Sequence, residues 1–224
     1  MHVIRGRTES LGTNRAILDD MFTRAVREDE EVVWVWRPHP QVSFGRRDTN
    51  EPGFGRASPI AREQGFEPVE REVGGRAVAY TGSTVAFAQC RPVDDPRNGL
   101  DERYEHASND AVTALENLGV SAERGEPPDS FCPGAHSLQA DGKLVGIAQR
   151  IRQEAALVSG VVVVRDHEEI AGVLDPVYEA LGIDFNPESV GSVAKTGGPS
   201  DPTVVINAFE DALVNGRSHT TQQL

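Results

Sequence analysis

The chain has 224 residues, and its 22 basic residues against 35 acidic ones give a formal net charge of −13. This balance argues against a nucleic-acid or acidic-membrane binder, because both kinds of binding need a basic face. No apolar run approaches the roughly 18 residues that a membrane helix needs. Residues 1–12 contain no apolar segment that resembles a secretory signal, so we expect a globular cytoplasmic protein.

The basic residues are almost all arginine, because Lys143 and Lys195 are the only lysines. Together with the acidic surplus, this composition is typical of a salt-adapted protein. The only cysteines, Cys90 and Cys132, are too few for a disulfide framework, and no Cys/His cluster has zinc spacing. The sequence therefore predicts no metal site.

The first half of the chain predicts one helix followed by strands. Apolar residues at helical spacing predict a helix over 14–26 with Thr13 as its N-cap. Apolar runs predict strands at 32–36 and 41–45, on either side of a proline corner, which bring Arg46 to a loop. Further strands at 67–73, 77–80 and 84–90 are punctuated by glycines, a pattern that favours a meander.

The second half mixes helices with a hairpin. We predict a helix over 103–118 that ends at Gly119, a hairpin of strands 143–152 and 156–164, and helices over 168–181 and 202–214. Asp201 is the expected N-cap of the last helix. The order of elements favours an α+β fold with a mixed, largely antiparallel sheet flanked by helices. We expect one domain over 1–216 and a disordered tail over 217–224.

Two segments carry candidate chemistry. In the first, Gly74 and Gly75 lie between predicted strands, where backbone N–H groups can approach an anion. Arg76 follows directly and can form bidentate hydrogen bonds with a carboxylate or phosphate. A plain hairpin turn with a surface arginine is the alternative. In the second, Lys143 begins an apolar strand in a chain that otherwise uses arginine, which suggests a need for a compact ammonium. An exposed lysine beside a turn is the alternative there.

Taken together with Pro38-His39-Pro40-Gln41-Val42-Ser43-Phe44-Gly45-Arg46, these segments resemble the lipoate-protein ligase and octanoyltransferase superfamily, which also includes biotin-protein ligases. The resemblance implies a catalytic domain related to class II synthetases. Such a domain moves a lipoyl or octanoyl group onto a lysine of a lipoyl carrier domain, in a 2-oxoacid dehydrogenase or a glycine-cleavage protein.

The same resemblance implies site residues. Lys143 would contact the acyl carbonyl or acyl-phosphate oxygen, where an ammonium stabilises developing negative charge. The implied binding residues for the acyl group and its phosphate side are Arg46, Arg71, Gly74, Gly75, Arg76, Ala77, Gly146 and Ala148. Replacing Lys143 by alanine is expected to abolish transfer, because the ammonium acts in the transition state. We also expect Lys143 to lie at an exposed strand start, so that this replacement leaves the fold intact.

The resemblance leaves the mechanism open. The family default is an adenylating ligase that uses ATP and Mg²⁺ and passes through lipoyl-AMP, and this route is slightly favoured. Since residues after Lys195 are too few for the small C-terminal domain of many ligases, that route predicts a separate accessory protein.

The alternative route is ATP-independent octanoyl transfer through an acyl-Cys132 thioester, with no cofactor. Arg76 replaces a third glycine of the ligases, and a loop cysteine, Cys132, precedes Lys143; both features resemble the cysteine-dependent octanoyltransferases. The spacing of eleven residues between Cys132 and Lys143 is a few residues shorter than that resemblance implies. His136 could promote formation of the thiolate, which is the attacking form. A third alternative is a non-catalytic paralogue that only binds the acyl group or the carrier, because Ser159 stands where the family usually has histidine.

Overall fold

The computed structural model describes residues 1–71, 75–95, 98–152 and 154–224, and within them a large sheet lies at the centre of the fold. From one edge to the other its strands are β11 (Thr220–Gln223), β1 (His2–Arg5), β2 (Val32–Trp36), β6 (Val85–Pro92), β10 (Ala155–Val162), β9 (Lys143–Arg152), β8 (Ser137–Gln139) and β7 (Glu123–Arg124). Strand β1 pairs in parallel with β11 and β2, and the remaining pairings are antiparallel. The prediction of an α+β fold with a mixed, largely antiparallel sheet is confirmed.

A second, smaller sheet has the strand order β4 (Glu67–Glu70), β3 (Gln41–Phe44) and β5 (Val78–Tyr80). Strand β6 does not belong to this small sheet. It pairs with β2 and β10 of the large sheet, so the predicted meander over 67–90 is wrong. The physical reason is burial. Both faces of β6 are buried from Val85 to Cys90, which requires a central position, whereas β4 is partly exposed and suits an edge.

The helices are α1 (Leu11–Glu28), α2 (Arg46–Thr49), α3 (Phe54–Glu63), α4 (Leu100–Asn117), α5 (His167–Leu181) and α6 (Pro202–Val214). Helix α6 has the predicted bounds and the predicted cap, since the Asp201 side chain accepts the Thr203 N–H at 2.8 Å. Helix α1 begins earlier than predicted, and Ser10 rather than Thr13 caps it. The short α2 and the proline-containing α3 were not predicted. No helix in the described residues is long and apolar enough to cross a membrane.

Different helices and strands pack on the two faces of the large sheet. Helices α4 and α6 pack on one face through a cluster that includes Val162 of β10. On the other face, α1 packs near Leu157 of β10. Further along that face, the small sheet, α3 and α5 form a cluster with Val161 and Val163. Ser159 lies on this face between α1 and the group formed by the small sheet, α3 and α5, and it is only half-buried.

The C-terminal residues do not form the disordered tail that the sequence predicts. Strand β11 pairs in parallel with β1, and the His2 ring bonds the Thr220 hydroxyl at 2.9 Å and the Gln222 side chain at 3.2 Å. This strand is polar and largely exposed, so it has no apolar alternation that sequence analysis could detect. Hydrogen bonds to a distant strand hold it in place.

Candidate active site

Cys132 lies in the loop between β7 and β8, and its sulfur faces the segment that leads into β5. The Sγ atom accepts hydrogen bonds from the Arg76 backbone N–H at 3.3 Å and from Arg71 Nη2 at 3.4 Å. The loop backbone is in the left-handed region at Cys132, with φ of +43°. The fold thus brings Cys132 against Arg71 and Arg76, which lie more than 50 residues earlier in the chain.

Gly75 permits this close approach. A Cβ atom at Gly75 would lie 2.8 Å from Cys132 Sγ and 2.9 Å from Arg71 Nη2, and the glycine has φ of +94°. A side chain at Gly75 would therefore displace Cys132 Sγ or the Arg71 guanidinium and would strain the backbone. The neighbouring Gly74 lies outside the described residues.

Tyr178 of α5 joins the cysteine loop to the same segment. Its hydroxyl accepts the Cys132 backbone N–H at 2.7 Å and donates to the Ala77 carbonyl at 3.0 Å. Burial, together with the neighbouring Cys132, holds the pKa of this hydroxyl well above its usual value. Tyr178 is therefore a neutral bridge that fixes the position of Cys132 relative to β5.

Lys143 is buried, which corrects the expectation of an exposed lysine at a strand start. Its side chain is 1% exposed, and Nζ donates to Glu126 Oε1 at 2.8 Å and to the carbonyls of Phe131 and Cys132 at 2.9 Å each. An ammonium has three donors, and all three have acceptors here. In this conformation Lys143 holds the cysteine loop.

Arg76 points away from Cys132 and pairs with two carboxylates. Its Nη1 lies 2.7 Å from Glu51 Oε1 and 3.4 Å from Asp48 Oδ1. Asp48 is fully buried, and its other oxygen accepts the Gly45 N–H at 2.9 Å. Burial raises the pKa of the Asp48 carboxyl, although the Gly45 N–H and the Arg76 guanidinium oppose that rise.

The other predicted site residues have different positions. Arg46 is exposed at the start of α2. Ala77 is buried and contributes its carbonyl to Tyr178. Gly146 and Ala148 lie in β9, opposite Val161 and Ser159 of β10. A Cβ at Gly146 would lie 3.5 Å from Lys143 Cε.

A strip of small side chains crosses the large sheet beside the cysteine loop. Gly146, Ala148 and Ser159 have their side-chain positions on the same face as Val161, and Ala148 is exposed. Val161 and Cys132 both pack against the cluster of the small sheet and α5. The strip therefore leads from solvent toward the cysteine.

The apolar residues of the neighbouring strands, which are the side chains that could line an acyl chain, divide between two clusters. Val78 belongs to the cluster that Cys132 contacts. Val85, Phe87 and Val145 belong to the core under α4 and α6, on the opposite face of the sheet. These three are ordinary core residues.

His136 and Cys90 have other environments. The His136 ring stacks on Tyr104, with centroids 3.7 Å apart, rather than bonding to the Cys132 thiol. Cys90 is fully buried in β6, and burial raises the pKa of its thiol to about 12. Of the two cysteines, only Cys132 is partly accessible.

Sequence analysis missed three residues that shape this site. Glu126 is an acidic residue in the loop before Cys132, and the only sequence signal is its presence in a loop already of interest. Asp48 follows Arg46 and Arg47, and its burial depends on α2, which the sequence does not indicate. Tyr178 sits on the apolar face of α5, where any aromatic side chain would be expected.

Comparison with protein families matches residues 13–216 to the model of the lipoyl protein ligase A/B catalytic domain. Among curated proteins, an octanoyl-[GcvH]:protein N-octanoyltransferase of Geobacillus kaustophilus is 29% identical over 136 residues, which is 59% of this chain and 48% of that protein. A lipoyl-[GcvH]:protein N-lipoyltransferase of Listeria monocytogenes is 25% identical, over 79% of this chain and 68% of that protein. The chain spans about half the length of the Geobacillus relative.

Solved structures share the fold. A lipoate-protein ligase A bound with ATP superposes with a TM-score of 0.77 at 18% identity, covering 100% of this chain and 88% of that one. The bipartite lipoate protein ligase of Thermoplasma acidophilum, studied with its E2 lipoyl domain, gives a TM-score of 0.67 at 17% identity, covering 100% and 86%.

Proposed function

Because the chain belongs to the lipoyl protein ligase A/B catalytic domain family, we propose that it is an acyltransferase of protein lipoylation that works through a thioester on Cys132. The donor would be an octanoylated or lipoylated lysine of a glycine-cleavage carrier protein, and the acceptor a lysine of another lipoyl domain. The observation that carries this proposal is the position of Cys132 Sγ, 3.3 Å from the Arg76 N–H and 3.4 Å from Arg71 Nη2. The names of the curated relatives agree with it.

The proposed reaction exchanges one amide for another. The Cys132 thiolate attacks the acyl carbonyl of the donor, a C–S bond forms, and the donor lysine leaves as an amine that takes up a proton. The acceptor lysine, as a free amine, then attacks the thioester, loses a proton and releases the thiolate. Since one amide breaks and an equivalent amide forms, the reaction needs no nucleotide.

The donors around Sγ suit the charge that develops in both steps. A carbonyl attached to Sγ would place its oxygen within reach of the Arg76 N–H and the Arg71 guanidinium. Arg71 Nε is buried and has no acceptor in the part of the chain described, so the guanidinium retains an unused donor. Fixed donors of this kind stabilise a tetrahedral oxyanion by about 3 kcal/mol each.

The strip at Gly146, Ala148 and Ser159 suits the acyl tail. Small side chains on a partly uncovered sheet face leave room for a linear chain, and Val161 supplies apolar contact near Cys132. We propose that octanoyl or the dithiolane-bearing lipoyl group lies along this strip. The residues of the large sheet, β11 included, and its flanking helices would act as one catalytic domain. The proposed location of the reaction is the cytoplasm, as the sequence analysis expects.

The adenylating route, which the sequence analysis favours, fits the site less well. Lys143 and Arg76 are the groups that the family resemblance assigns to the phosphate and acyl-phosphate side, and each already pairs with carboxylates. A triphosphate would have to displace those carboxylates. This route remains the second candidate because the fold is shared with the structure of a lipoate-protein ligase A bound with ATP.

The test is to weigh the acceptor lipoyl domain after incubation with either an octanoylated glycine-cleavage carrier or free lipoate, ATP and Mg²⁺. We expect transfer from the carrier without ATP. The enzyme itself should gain one acyl group that hydroxylamine removes. Cys132→Ser should stop transfer, and Cys90→Ala, a matched control at the buried thiol, should retain it. Activity that requires ATP and survives Cys132→Ser would refute the thioester route and establish the ligase.

A further inference from the structure

Glu126 contacts the cysteine loop at two points and Lys143 of β9 at a third. Its Oε1 accepts the Lys143 ammonium at 2.8 Å and the Ser130 hydroxyl, and its Oε2 accepts the Gly134 N–H at 3.3 Å. Ser130 and Gly134 stand on either side of Cys132. One carboxylate therefore ties together both ends of the segment that carries the nucleophile.

Lys143 extends this arrangement to the middle of the segment. Its two remaining donors bind the carbonyls of Phe131 and Cys132 at 2.9 Å each. The Glu126–Lys143 ion pair is thus the centre of a network that binds the loop at four residues between Ser130 and Gly134. We name these residues and contacts the Glu126 clamp.

The backbone of the loop needs such support. Asp129 and Cys132 have φ of +52° and +43°, in the left-handed region that side-chain-bearing residues disfavour. Unfavourable backbone conformations persist where the surrounding contacts over-determine them. The left-handed turn at Cys132 also determines which way Sγ points, because it sets the direction of the Cα–Cβ bond.

We propose that Glu126 is a positioning residue for Cys132, which acts through Lys143 and the loop backbone to hold Sγ against the Arg76 N–H. The proposal rests on the proposed function for its catalytic consequence, but its geometric consequence is independent of any activity. Without the carboxylate, the loop should loosen, Sγ should become more accessible, and productive alignment with an acyl carbonyl should be lost. Accessibility and catalysis should therefore change in opposite directions.

The experiment measures both quantities in Glu126→Gln, with Glu123→Gln as the matched control on the neighbouring exposed strand. Alkylation of Cys132 by iodoacetamide is followed by mass, and the buried Cys90 thiol stays silent. We expect alkylation about 3-fold or more faster in Glu126→Gln. Single-turnover acylation should be about 10- to 100-fold slower, the range that misalignment of a reacting group produces. The KM for the acyl donor should stay within about twofold, and Glu123→Gln should match the wild type.

Ser130→Ala provides a second, milder variant if Glu126→Gln does not fold. It removes one donor to the carboxylate and should change both rates in the same directions by a smaller factor. Alkylation at or below the wild-type rate in Glu126→Gln, or in Ser130→Ala if that is the variant that folds, would overturn the proposal. If the wild type forms no acyl-enzyme, the proposed function fails, and the alkylation rates alone still decide the role of Glu126.

Discussion

Replacing Lys143 by methionine removes a buried ammonium and keeps most of the apolar side chain. The wild-type ammonium has three acceptors, one of them the carboxylate of Glu126, and it lies 4.9 Å from the centre of the Phe131 ring. In Lys143→Met the carboxylate and two loop carbonyls lose their donor together. Because methionine fills similar space, the change isolates the charge and its hydrogen bonds from simple loss of packing.

The size of the effect follows from burial. Breaking a buried ion pair by removing one partner costs roughly 3–5 kcal/mol. The Glu126 side chain is 22% exposed, so water can reach the orphaned carboxylate, which favours the lower end, about 3 kcal/mol. In a domain of this size each kcal/mol lowers the melting temperature by about 2–4 °C. We therefore expect Tm to fall by about 6–12 °C.

The assay is thermal unfolding followed by circular dichroism, with Lys195→Met as the control. Lys195 is the other lysine, its side chain is 28% exposed, and it pairs at 3.6 Å with Asp141, which is 69% exposed. An exposed pair of this kind contributes about 0–1 kcal/mol, so Tm should change by less than about 4 °C. Equal midpoints for Lys143→Met and the wild type would refute the argument that this ion pair holds the cysteine loop.

Two further predictions concern the groups around Cys132. Gly75→Val should slow acylation of Cys132 about 100-fold, because a side chain at this position would collide with Sγ and would have to adopt a disfavoured φ. Single-turnover kinetics measure the acylation rate, and the control Gly82→Ala, where the space around the glycine is open, should acylate at the wild-type rate. Burial raises the pKa of Asp48 above its ordinary value of 3.8, so its contribution to stability is fully present below pH 3.8 and is lost as pH rises through the folded pKa. Asp48→Asn should remove this slope, as measured by urea unfolding at a series of pH values.

Each of these predictions has a contradicting result. Normal acylation in Gly75→Val would mean that the acyl group approaches Cys132 from another side. For Asp48, a wild-type stability advantage over Asp48→Asn that grows with rising pH would show that the carboxylate is stabilised rather than destabilised by its site. That outcome would mean that the ion pair with Arg76 stabilises the Asp48 carboxylate by more than burial destabilises it.

The residues of the site were predictable to different extents. Gly75, Arg76 and Cys132 were identified through the family resemblance, because a glycine pair or a loop cysteine taken alone also has an ordinary structural explanation. Lys143 was identified by the same logic, yet its environment was mistaken, since the composition of a strand start does not reveal a loop folding over it. Glu126 and Tyr178 carry no local signal, because their role comes from contacts with residues distant in sequence or across a turn.

By itself, the sequence determined the α+β class, the bounds of α6 and β2, and the family resemblance, since these depend on periodicity, capping and short motifs within one stretch of chain. Only the tertiary structure decided that β6 crosses to the large sheet and that the polar β11 is a strand. Only the tertiary structure placed Cys132 Sγ against the Arg76 N–H and gave each of the three Lys143 donors an acceptor. These features depend on which buried faces and which unpaired hydrogen-bonding groups meet in space, and that is a property of the whole folded chain.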